Sequence, residues 1–192
     1  VFVAESGPKN KRIKRIAVMD QDGANVRFLT DGKNIVIKPM FSPSSDSILY
    51  TSYKSGVPRV YKKDLKTGKE STFKSLPGMN FSPRFSPDGK NFLLSITSKM
   101  NTDIYKVSLS NGKKTRLTDD RAIDTAPSFS PNGEMIVFES DRSSTQQLYV
   151  MRSNGSGVKR ITFGKGRYGE PAWSPRGDLI AFTKMADGYF YI

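Results

Sequence analysis

The chain has 192 residues, with 31 Lys and Arg against 18 Asp and Glu, and neither cysteine nor histidine. Lacking cysteine it has no disulfide or thiolate metal site, and lacking histidine it has no Ser–His triad, no imidazole base and none of the usual zinc ligands. The formal charge of +13 suits nucleic acid, an anionic membrane surface or an acidic protein partner, but the charges are scattered along the chain and read as a solvated, Lys-rich surface.

The opening residues, "VFVAES" (1–6), read as a strand from the middle of a domain, so the chain is expected to be a piece of a longer protein. The densest basic run, "PKNKRIKR" from Pro8, reads as a loop leading into a second strand. No apolar run is long enough to span a bilayer as a helix.

From Phe41 onward the chain is periodic. Phe41, Phe85, Phe129 and Trp173 stand 44 residues apart, and each precedes Ser-Pro. Pro39, Pro83, Pro127 and Pro171 hold the same spacing, as do Ile16, Val60, Ile104 and Leu148, and Leu29, Phe73, Leu117 and Ile161. Repeats of this length predict β-propeller blades of four antiparallel strands, which must stack to bury both faces. Within each unit the aromatic-Ser-Pro phrase forms the inner strand and its turn. Turns such as Ser86-Pro87-Asp88-Gly89 follow, with proline pre-setting φ and glycine tolerating the fourth position. The first unit has Ser44-Ser45 at that place, which predicts a looser turn. An almost wholly apolar second strand comes next ("EMIVFES", 134–140), then a third ("QLYVMR", 147–152). A turn such as Asn154-Gly155 leads to a polar fourth strand ("VKRIT", 158–162).

The ends do not complete a unit. Three strands precede Phe41's unit, three full units follow, and three strands close the chain. The fold class is therefore all-β: a β-propeller with 44-residue four-stranded blades, an incomplete piece of about four and a half blades from a larger ring, expected to have six or more. Its open strand edges would invite dimerisation. The sole domain is this propeller fragment, 1–192.

Nothing in the chain reads as a catalytic centre, and no cofactor or metal is expected. Asp20-Gln21-Asp22-Gly23 lacks the later acids of a calcium loop and falls at a turn position. Ser-x-x-Lys recurs at Ser6, Ser71, Ser110 and Ser156, mostly in turns. Glu139, Asp141 and Arg142 read as a surface cluster rather than an acid/base pair. Function is instead expected on the loops entering the inner strands, "KNIVIKP", "LPGMNFSP", "DRAIDTAP" and "GKGRYGEP", which vary while the flanking phrase is constant.

The strings "VFVAES", "MDQDGAN", "GMNFSPRFSPDG", "YVMRSNGSGVKRIT" and "PAWSPRGDLIAFTK" resemble the TolB family of the Tol–Pal system along the whole chain. The resemblance implies a six-bladed, non-enzymatic periplasmic propeller, with an N-terminal α/β domain and the last blade or so of the full-length protein outside residues 1–192, that binds the lipoprotein Pal at its channel mouth and supports outer-membrane integrity and cell division. It implies contact with TolA through an N-terminal region not in this segment, and exploitation of the mouth by bacteriocins. By the same resemblance, partner contacts fall on Met79, where the family carries a histidine, on Ser82 and on Thr125. Asn80, Asp124, Tyr168 and Glu170 join them by loop position. An alternative from another class is the substrate-gating propeller of a prolyl-oligopeptidase-type serine peptidase. A nucleic-acid role rests on charge alone and is not expected.

Overall fold

In the computed structural model, residues 1–73 and 76–192 are described, so Lys74, the last residue of the Ser71 Ser-x-x-Lys match, lies outside the described residues. Among the described residues eighteen strands form five antiparallel sheets and no helix. The first sheet joins β1 (Phe2–Ser6), β2 (Ile13–Val18) and β3 (Arg27–Phe28). The second joins β4 (Val36–Phe41), β5 (Ser47–Ser52), β6 (Arg59–Asp64) and β7 (Glu70–Thr72). The third joins β8 (Met79–Phe85), β9 (Asn91–Ser98), β10 (Asn101–Ser108) and β11 (Lys114–Arg116). The fourth joins β12 (Asp124–Phe129), β13 (Met135–Ser140), β14 (Gln147–Arg152) and β15 (Lys159–Arg160). The fifth joins β16 (Arg167–Trp173), β17 (Ile180–Ala186) and β18 (Tyr189–Tyr191). Four strands per blade therefore holds for the three middle sheets, and the first and last have three.

Each blade is a meander whose strands pair in sequence order, and the register repeats. Phe41 lies opposite Ile48, Phe85 opposite Phe92, Phe129 opposite Ile136 and Trp173 opposite Ile180. Side chains of successive strand residues point to opposite faces, and in the middle blades both faces are covered by neighbours. Phe92, Leu94 and Ile96 of β9 pack with Leu49 and Val60 of the second blade. Leu93, between them in sequence, packs with Ile136 and Phe138 of the fourth. Ile16 of the first blade packs with Ile48 and Tyr50 of the second. This two-sided contact explains why β5 is buried along its whole length. Each fully buried ring or branched chain contributes roughly 1.5–3 kcal/mol.

The outer strands are shorter than the sequence suggests, two or three residues each. Threonine side chains extend the ladder beyond them. The backbone N–H groups of Ile16, Ile104 and Leu148 donate to Oγ1 of Thr30, Thr118 and Thr162 at 2.9, 3.0 and 2.9 Å. These three buried amides are thus satisfied where strand pairing stops.

The turn expected to be loose is not. Ser45 N donates to Ser42 O at 2.9 Å, as Gly89 N does to Ser86 O and Gly133 N to Ser130 O. Ser45 reaches this geometry at φ +56, in the glycine region. The buried anchor is the Ser42 hydroxyl, which accepts from Ser47 N at 3.1 Å and donates to Asp46 at 2.9 Å. The turn is fixed by that hydroxyl rather than by glycine at its fourth position.

Candidate functional site

Four β-bulges build one end of a central channel. In β4, β8, β12 and β16 the register slips by one residue just before the inner proline. The bulge residues are Lys38, Ser82, Ala126 and Glu170, with φ of 53, 54, 48 and 51°. A left-handed non-glycine residue costs about 1–2 kcal/mol, and a bulge re-aims its side chain. Repetition in four units shows that the packing of the blades enforces it. All four bulge residues line a cavity of about 620 Å³, with Thr125, Tyr168, Glu139, Gln146 and Arg167.

Lys38 Nζ and Glu170 carboxylate form an ion pair across this cavity, linking the second and fifth blades. The Lys38 hydrogen bond and charge hold the Glu170 carboxyl below the ordinary glutamate range, against an opposing effect of burial. Beneath them Glu139, only 7 % exposed, accepts from Thr125 Oγ1 at 3.1 Å, Gln146 Nε2 at 2.5 Å and the backbone N–H of Glu170 at 2.5 Å. Glu139 thus ties the fourth blade to the bulge of the fifth. Gly169 allows this close approach, since a Cβ there would stand 3.2 Å from Glu139 Oε1.

Of the residues expected at a partner site, Ser82, Thr125, Tyr168 and Glu170 come together around this cavity. Met79 is 40 % accessible and is not among the residues that line the cavity. Asn80 and Asp124 are placed differently. Together with Val36 and Tyr168 they hold a position that is buried in every unit. In the third and fifth blades the backbone at this position also bonds to the preceding blade: Asn80 N donates to Pro58 O and Tyr168 N to Gln146 O, each at 2.9 Å. The Asn80 amide is held by Pro77 O at 2.7 Å. Asp124, with no exposed surface, receives both of its hydrogen bonds from Arg142 Nη2, at 3.0 and 2.8 Å. Their side chains shape the loop from within.

One position earlier lies a rim that sequence reading assigned only at Met79. Ile35, Met79 and Ile123 occupy equivalent places and are 55, 40 and 51 % exposed, with the exposed Arg167 at the fourth. Lys38, Glu139, Gln146 and Arg167 were also not singled out for this cavity. The signal for Lys38 was present, since opposite charges occupy the bulge position in units three apart.

The Glu139–Asp141–Arg142 cluster divides into three separate structural roles. Arg142 pairs with Asp124, Asp141 accepts from Ile123 N at 2.8 Å, and Glu139 supports the bulge. In the Asp20–Gly23 stretch, Asp20 accepts from Asn25 Nδ2 at 2.6 Å and Asp22 from Ala24 N at 2.9 Å, as turn residues do. Among the described residues no His, Cys, Asp or Glu group has three members placed to hold a metal.

Comparison with known proteins follows the same lines. The chain is 57% identical over 81 residues to the Tol-Pal system protein TolB of Paramagnetospirillum magneticum, covering 42% of this chain and 18% of that protein. Over 76 residues it is 57% identical to the Tol-Pal system protein TolB of Jannaschia sp., covering 40% of this chain and 17% of that one. The crystal structure of TolB from Acinetobacter baumannii superposes with a TM-score of 0.84 at 31% identity, over 92% of this chain and 45% of that one. The chain thus spans under half the length of that solved relative. A prolyl endopeptidase structure, at 14% identity and a TM-score of 0.64, shares the fold alone. Residues 1–192 match the family described as the TolB beta propeller domain, and the chain belongs to that family.

Proposed function

We propose that this propeller is a non-enzymatic, periplasmic binding scaffold of the Tol–Pal system that docks Pal on the channel mouth. The observation that carries the reading is the rim of Ile35, Met79 and Ile123, solvent-exposed apolar side chains repeated around a charged cavity. Apolar anchors beside a polar, positively edged opening suit a folded protein partner. The surplus of basic residues would speed capture of an acidic partner, an effect that salt weakens. A contribution to outer-membrane integrity and cell division, contact with TolA through a preceding domain, and use of the mouth by bacteriocins belong to the same proposal. Relatives named as Tol-Pal system proteins support it.

The parent ring is read as six-bladed. The Lys38–Glu170 pair supports this, because units three apart face each other across a ring of six.

The test is binding of this chain and of a full-length protein to purified Pal. Substituting Thr125 and Ser82 with bulky residues, and separately Met79 and Ile123 with aspartate, is expected to weaken binding at least tenfold. Unchanged affinity in all of these variants of the full-length protein would remove the mouth as the docking face.

A further inference from the structure

The channel has a second end, and its chemistry differs from that of the mouth. Three residues along from Ile37 and its cavity-lining equivalents Phe81, Thr125 and Gly169, the inner strands place Met40, Arg84, Ser128 and Ala172 at one level. These four residues line a cavity of about 390 Å³ with the aromatic-Ser-Pro turns. Arg84 alone among them is charged.

Its guanidinium carries five N–H donors and no acceptor. Among the described residues its side chain makes one hydrogen bond, from Nη1 to the carbonyl of Pro83 at 3.0 Å. The acid whose charge reaches it is Glu170, and that carboxylate is paired with Lys38. Burial pushes the Arg84 pKa below the ordinary arginine value, with Glu170 opposing. Arginine nevertheless stays protonated at any working pH. A charged fork is thus held in a partly desolvated channel with open donors and no dedicated counter-ion. Arg84 is half-buried and its open donors face the cavity, so an anion entering there meets an unpaired positive charge.

We propose that Arg84 is the anchor of an oxyanion site inside the channel, for a carboxylate or a phosphate held by the guanidinium fork. The planar fork matches two oxygens of either group. The site lies toward the other end of the inner strands from the mouth, and the charge of Glu170 couples the two.

The repeat supplies its own control: Met40 fills the equivalent position one unit earlier, so Arg84→Met is compatible with the blade. Thermal midpoints of this chain would be followed against acetate, phosphate and chloride at constant ionic strength. A saturable rise with acetate or phosphate, absent with chloride, is expected. The acetate and phosphate arms tell which anion class is preferred. Arg84→Met should fold and lose the rise, and Arg84→Lys should weaken it at least about tenfold, as loss of a bidentate charged pair predicts. If Arg84→Met does not fold, the lysine variant alone decides. No saturable rise in the native chain, or an equal rise in the variants, overturns the site.

Discussion

Lys38 and Glu170 lie 132 residues apart in the chain and are joined by an ion pair across the channel. Both sit at a left-handed bulge, at the same place in units three apart. The sign of the pH effect follows from Glu170, whose folded pKa lies below its ordinary value of 4.5. Its contribution to stability is present above that value and is lost as pH falls through the lower folded one. Glu170→Gln should therefore be less stable than the native chain near pH 6, and the difference should vanish on acidification below that range. Thermal melts of the two proteins across pH 3–6 check this. A difference that persists at the acid end would mean that the ion pair does not carry it.

Asp124 and Arg142 are the buried counterpart. The carboxylate is fully enclosed and the guanidinium about four-fifths so. Arg142 also donates to Ser140 Oγ at 2.9 Å and lies over the Tyr149 ring at 5.1 Å. Removing the acid leaves a mostly buried cation with only the more distant Asp120, at 3.9 Å, as counter-charge, a loss of up to about 3–5 kcal/mol. Asp124→Ala is expected to lose that much in urea unfolding. Any effect on partner binding should follow stability, because the side chain never reaches the rim.

The two acids mark the boundary of what sequence could tell. Periodicity is a covalent fact, and regular pairing converts it directly into place: Phe85 opposite Phe92 and Phe129 opposite Ile136 follow from the spacing. Alternation then assigns Leu93 and Leu94 to different blade interfaces. Which member of a loop faces out is harder to read. A bulge adds one residue to the inner strand and breaks alternation there, so Ser82 reaches the channel whereas Asn80 is buried. The left-handed backbone that does this occurs at Lys, Ser, Ala and Glu, none of which announces it. Turn chemistry misled for the same reason at Ser45, where tertiary anchoring through Ser42 overrides local preference.

Ser45 therefore offers a stabilising substitution. Its side chain is exposed and its φ of +56 carries the Cβ penalty that Gly89, Gly133 and Gly177 avoid in the other units. Ser45→Gly removes about 1–2 kcal/mol of left-handed strain and adds about 0.5–1 kcal/mol of unfolded-chain entropy. A net gain of about 0.5–1 kcal/mol is expected, read as an upward shift of the urea midpoint with an unchanged m-value. A loss would show that the Ser45 hydroxyl has a role in the turn.

Gly78 is the opposite case. It precedes the rim at Met79, with φ +57, and a Cβ there would lie 1.8 Å from the carbonyl oxygen of Thr97. That oxygen belongs to β9 backbone, in a strand fully paired on both sides, so it cannot retreat without disturbing the blade. Gly78→Ala combines left-handed strain with this overlap, and a loss of at least about 2 kcal/mol is expected. The damage should be local: the loop from Leu76 to Asn80 would shift, moving Met79 while the mouth residues of the fourth and fifth blades stay in place. If the rim docks a partner, Gly78→Ala would lose affinity in proportion to the share carried by Met79, at temperatures where the chain is still folded. Hydrogen exchange at the amides of Asn80 and Thr97 provides the check, with faster exchange expected there and native protection retained in β13 and β14.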